Sequence, residues 1–202
     1  MKAVNQIPDI STWAESAAKE LRETADNLAS TAAPDYLGEE HLSFASLNEG
    51  ANAAIERLTL KSKIDRDRCL YIMTLDEHAE PSALKKAFSE AKQRCELKLP
   101  QDNAVESLVL YVGSSCATNK RKNTLRGRLK HHLIKASKGT YALSLAEWTQ
   151  DLCGGINVHA WQYPSLGEGM EGDEAARKIV LAVEDWLANE LKPMLGRRGS
   201  RH

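Results

Sequence analysis

The chain has 202 residues, 42% hydrophobic and 27% charged, with 27 Lys or Arg against 28 Asp or Glu and a formal net charge of -1. That length suits one hydrophobic core with an appended segment, and no apolar run approaches the ~20 residues of a membrane span. Met1 to Asp9 lack the apolar core of a secretory signal, so the expected compartment is the cytoplasm, and four scattered cysteines (Cys69, Cys95, Cys116, Cys153) without a C-x-x-C pair argue against zinc or a disulfide framework.

In chain order, Thr12 and Glu15 have the spacing of a capping box. Trp13, Ala17, Leu21, Ala25 and Leu28 then recur near the helical period, which predicts a helix over 12–30. A second helical pattern starts near Glu39 and carries Leu42, Leu47, Ala51, Ile55 and Leu58, interrupted by Gly50. Residues 1–63 therefore read as a helical extension for packing or dimerisation, ahead of a main domain over 64–202. The apolar run over 69–74, with Tyr71 at its centre, predicts a buried strand.

Pro81 opens a helix reaching about residue 97, with Leu84, Ala87, Phe88, Ala91 and Cys95 on one side. A second strand is expected over 107–115 and a helix over 123–137, where Leu125, Leu129, Leu133 and Ala136 form the buried stripe. A short helix over 145–152 and a third strand over 156–163 follow. Asp173 then begins a long helix that ends before Pro193 and Gly196. The expected fold class is α/β (α+β): a small three-stranded sheet flanked by helices, with one helix inserted between the first two strands.

Charge is unevenly distributed. Eight basic residues and no acidic one lie between Lys120 and Lys138, and the last eleven residues add Lys192, Arg197, Arg198 and Arg201, again without an acid. Such a chain can present one basic face to nucleic acid despite its near-neutral balance. The residues expected to do so are Lys120, Arg121, Lys122, Arg126, Lys130, Lys135, Arg197 and Arg198.

Arg128 and His132 are four residues apart, so a helix stacks a permanent cation and a titratable imidazole on one face. Glu184 stands among Val183, Leu187 and Leu191, where a carboxylate is costly unless paired, protonated or bound to a cation such as Mg²⁺ or Mn²⁺. With Tyr71 and Tyr111 these side chains make a poor kit for acyl transfer or redox work. They suit phosphodiester hydrolysis, where developing charge must be neutralised and a water positioned beside a metal.

The ordered motifs resemble those of the GIY-YIG nuclease family. Leu70-Tyr71-Ile72 stands at the first motif, with leucine for its glycine, and Tyr111-Val112-Gly113 at the second, with valine for isoleucine. The stretch from Asn123 to Leu133 is similar to the family helix, with Arg128 and a histidine four residues on. Val183-Glu184-Asp185-Trp186-Leu187 followed by Lys192-Pro193 is similar to its last helix, although Gly196 stands where many members have asparagine. The resemblance spans residues 68–198.

It implies a DNA endonuclease with Mg²⁺ or Mn²⁺ on Glu184, of restriction, defence, mobile-element or repair type. In that reading Tyr71 is the general base or positions the water, helped by His132 or Tyr111, and Arg128 stabilises the pentacovalent phosphate. Cutting both strands calls for two active sites or two visits, hence the expectation of a homodimer. A non-catalytic nucleic-acid-binding module of the same fold is the alternative, and a helical interaction protein a third; RNA remains open as a partner.

Overall fold

The computed structural model describes residues 10–30, 33–60, 68–94, 97–116, 124–137, 139–163 and 173–196. In chain order it contains α1 (Ile10–Ser30), β1 (Asp35–Ser43), α2 (Leu47–Leu60), β2 (Arg68–Leu75), α3 (Pro81–Gln93), β3 (Val109–Cys116), α4 (Leu125–Leu133), β4 (Gly155–Gln162) and α5 (Asp173–Leu191). Single 3-10 turns occur at Phe44–Ser46 and Leu145–Glu147. The helices α1, α3 and α5 fall where their apolar periodicity predicts, and the side chains of the expected Thr12–Glu15 capping box lie outside the described residues.

The sheet has four strands rather than three, in the order β1-β4-β2-β3, and every neighbouring pair is antiparallel. The added strand, β1, occupies the stretch where a helix from Glu39 was expected, and α2 begins only at Leu47. A bulge between Tyr36 and Gly38, with Gly38 at φ 138°, explains the difference. It shifts the side-chain phase by one residue, so the two buried residues of β1, Leu37 and Leu42, are five apart and break the alternation that marks a strand.

Residues before Arg68 are thus built into the sheet and its core. Leu47, Ala51, Ala54, Ile55 and Leu58 of α2 are at most 2% exposed. They share one apolar cluster with Cys69, Tyr71, Met73 and Leu75 of β2 and with Leu125, Leu129 and Leu133 of α4. Each buried leucine or isoleucine there contributes about 1.5–3 kcal/mol relative to exposure.

The opposite face of β2 packs on α5, where Leu70, Tyr163 and Val180 are buried with Val183 and Leu187 beside them. After α5 the chain turns at Lys192 (φ 47°), and Met194 and Leu195 donate backbone hydrogen bonds to Val109 and Leu110 at 2.9 and 3.0 Å. This return segment covers the start of the β3 edge and leaves its later residues beside α5 and α4. Among the described residues no helix is long and apolar enough to cross a membrane.

Candidate active site

Tyr111 and Ser114 of β3, Arg128 of α4, and Arg177, Glu184 and Asp185 of α5 line one cleft of about 600 Å³ at the edge of the sheet. β3, the α4 that follows it and the distant α5 therefore bring three of the five expected catalytic side chains to a common wall. α4 is anchored by Thr124, whose hydroxyl oxygen accepts from the Gly127 N–H at 3.1 Å. Its buried leucines fix the rotation of the helix and so aim Arg128 at the cleft.

The other two expected residues, Tyr71 and His132, lie behind that wall. Both are 0% exposed. The rings of Tyr71, Tyr111 and His132 pack together, with centroids 6.3 Å apart for the two tyrosines, 5.8 Å for Tyr71 and His132, and 4.5 Å for Tyr111 and His132. Gly113, paired with Tyr71 across β2 and β3, makes this possible. A Cβ at Gly113 would stand 2.5 Å from Tyr71 Cζ and 2.7 Å from Tyr111 Cε1. Gly196, at φ 110°, closes on the same ring from the other side, where a Cβ would stand 2.9 Å from Tyr111 Cε2. Asparagine at Gly196 would meet both obstacles.

Burial also governs the charge state of Tyr71. Burial pushes the Tyr71 phenol far above its ordinary value of 10.0, and the opposing pull of Arg128 does not offset it. The general-base role that the resemblance implies for Tyr71 thus meets a contrary effect that the Arg128 charge does not overcome. The hydroxyl lies beside the Arg128 guanidinium, whose charge and poorly aligned hydrogen bond both pull the phenol's pKa down. The Arg128 guanidinium is itself pushed above its ordinary value, by Tyr71 first, against the effect of burial, with Tyr111 and Glu184 adding to the rise. It remains a cation at every accessible pH.

His132 is held neutral, its pKa pushed well below 6.5 by burial and then by Arg128 and His131. The Leu143 N–H donates to His132 Nδ1 at 3.3 Å, which places the remaining proton on Nε2. That Nε2 is buried without a hydrogen-bond partner. His132 is therefore a poised donor rather than a proton acceptor.

From β3, Ser114 Oγ donates to Glu184 Oε2 of α5 at 2.5 Å and holds the carboxylate against the cleft wall. Among the described residues no three His, Cys, Asp or Glu side chains gather around a common point. A cage made wholly of protein ligands thus has no donor set here. A hydrated Mg²⁺ or Mn²⁺ needs less, one or two carboxylates completed by water and phosphate, and Glu184 on the cleft wall would supply one.

The expected basic face is only partly legible. Arg126 pairs with Glu56 of α2 at 3.1 Å, and Lys135 pairs with Glu147 at 2.9 Å. Lys130 is exposed on α4, and none of the three lines the cleft. Lys120, Arg121, Lys122, Arg197 and Arg198 lie outside the described residues. Sequence reasoning missed Arg177, Ser114 and Tyr141 on the cleft. Arg177 carried a usable signal, since it precedes Glu184 by seven residues and so shares its face of α5. Comparison with known proteins gives no match to a family model, a curated protein or a solved structure.

Proposed function

We propose that the chain is a divalent-metal-dependent endonuclease that hydrolyses DNA phosphodiester bonds, as its resemblance to the GIY-YIG nucleases implies. The observation that carries this reading is the convergence of Tyr111, Arg128 and Glu184 on one cleft of about 600 Å³, with Tyr71 and His132 packed directly behind. A fold alone would license no activity, and the reading rests on these side chains.

Arg128 binds the scissile phosphate and takes up the charge that grows on its oxygens, a role suited to a guanidinium that stays protonated. Glu184, steadied by Ser114 and with Asp185 nearby, holds the ion. When bound, Mg²⁺ or Mn²⁺ supplies Lewis-acid stabilisation of the phosphate. Tyr111, 9% exposed on the cleft wall, orients the attacking water. Tyr71 supports the Tyr111 ring from behind, and the His132 Nε2–H is the donor available to the same group of rings.

The test is cleavage of plasmid, linear duplex and single-stranded DNA with Mg²⁺ or Mn²⁺, each against EDTA. Cutting that EDTA abolishes is expected with at least one substrate. Binding of DNA with a steep salt dependence and no cutting of any substrate would replace the enzyme by a binding module.

A further inference from the structure

We propose that Tyr141 is a stacking platform for an unpaired base next to the scissile phosphate, so that the substrate is single-stranded DNA or DNA with an unpaired nucleotide at the cut. The position of that base relative to the cut rests on the endonuclease reading above. Tyr141 lines the cleft that holds Arg128 and Glu184, and it is 66% exposed. Its chain neighbours are not: Ala142 and Leu143 are 1% and 0% exposed. The backbone is thus anchored in the core and the ring is presented outward.

Two hydrogen bonds fix this arrangement. The Ala142 N–H donates to Lys98 O at 3.2 Å, tying the Tyr141 segment to the other side of the lip, and the Leu143 N–H donates to His132 Nδ1. The Lys98 ammonium stands over the Tyr141 ring, 5.7 Å from its centroid. A cation takes one face of the ring, and a base takes the other while its phosphates meet Lys98, Arg177 and Arg128. A base inside a duplex already has both faces covered by its neighbours, so only an unstacked base can use such a platform.

The exposed aromatic group around Tyr36 contrasts with this one. Tyr36 packs with Trp161 and His159 on β1 and β4, away from the cleft, and Glu39 stands close enough to raise the Tyr36 pKa after burial. A carboxylate thus neighbours Tyr36, whereas the Lys98 ammonium stands over the Tyr141 ring.

The experiment measures binding of a fluorescein-labelled single-stranded DNA oligonucleotide, and of the duplex of the same sequence, by full-length protein carrying Glu184→Gln to prevent cutting. The single strand is expected to bind more tightly than the duplex. Adding Tyr141→Ala should weaken single-strand binding about 10- to 100-fold and leave duplex binding nearly unchanged. Tyr141→Phe and Tyr141→Trp should retain the wild-type preference, because stacking needs the ring and not the hydroxyl.

Three results would each overturn the proposal: unchanged binding by Tyr141→Ala, equal loss with Tyr141→Phe, or equal loss on the duplex. A preference that depends on Tyr141 without cutting by the unmodified chain would remove the nuclease reading and keep the stacking site. Cutting without that preference would do the reverse.

Discussion

Gly113→Ala tests the packing on which the site depends. An ideal Cβ at this position stands 2.5 Å from Tyr71 Cζ and 2.7 Å from Tyr111 Cε1, against 3.4 Å for ordinary contact, so the Tyr71 ring must move by about 0.9 Å. It has nowhere open to go. Tyr71 is 0% exposed and packs against His132, also 0% exposed, and against Tyr111. Overpacking of a filled core costs about 1–3 kcal/mol, and rigid rings on both sides place this substitution near the upper end. Urea denaturation measures the loss from the midpoint at constant slope. The same displacement reaches Tyr111, so activity on DNA should fall along with stability. A loss below about 0.5 kcal/mol, the range of an unremarkable surface change, would show that the three rings are not closely packed and would refute the reasoning.

The remaining predictions follow from burial and charge. His132 has a folded-state pKa below 6.5, so under about pH 6.5 the unfolded chain binds a proton that the native chain does not, and stability falls with pH by at most about 1.4 kcal/mol per unit until the folded pKa is reached. Unfolding midpoints between pH 7 and pH 5 should show this slope in the wild type and a flatter one in His132→Gln; equal slopes would contradict it. Tyr71→Phe removes a buried hydroxyl whose contact with Arg128 is poorly aligned, so stability should change by under about 1 kcal/mol, and kcat should fall less than in Tyr111→Phe. A larger kcat loss in Tyr71→Phe would return the proton-accepting role to Tyr71. A chain starting at Ile64 lacks β1 and α2, whose leucines are core, and should give no cooperative unfolding transition; a sharp transition would show that residues 64–202 fold independently.

How much of this was legible in the sequence depended on whether a side chain's neighbours are local. The helices α1, α3 and α5 and the strands β2, β3 and β4 carry their own periodicity, so their positions could be read. β1 could not, because the bulge at Gly38 breaks its alternation and its partner β4 lies more than a hundred residues away. Arg128 and Glu184 were readable as polar residues beside apolar stripes, and the structure brings them to one cleft. The difference between Tyr71 and Tyr111 was not readable. Both sit in apolar strands beside the same glycine, and only the packing of α4, α5 and the return segment through Gly196 decides which ring meets the cleft. Among the basic residues, Arg126 and Lys135 stand in the basic run and form exposed pairs with Glu56 and Glu147, whereas Arg177 lies in an acidic stretch and lines the cleft.

The most direct measurement compares DNA cleavage by Arg128→Ala, Glu184→Gln and Arg126→Ala under Mg²⁺ or Mn²⁺, with folding of each checked by circular dichroism. Arg128→Ala and Glu184→Gln should each lose about 10²-fold or more in kcat, because each removes a charge aimed at the reacting phosphate. Arg126→Ala, which removes only an exposed ion pair with Glu56, should stay within about fivefold of wild type. Folded Arg128→Ala and Glu184→Gln proteins that cut DNA as well as the wild type would contradict the assignment of this cleft as the active site.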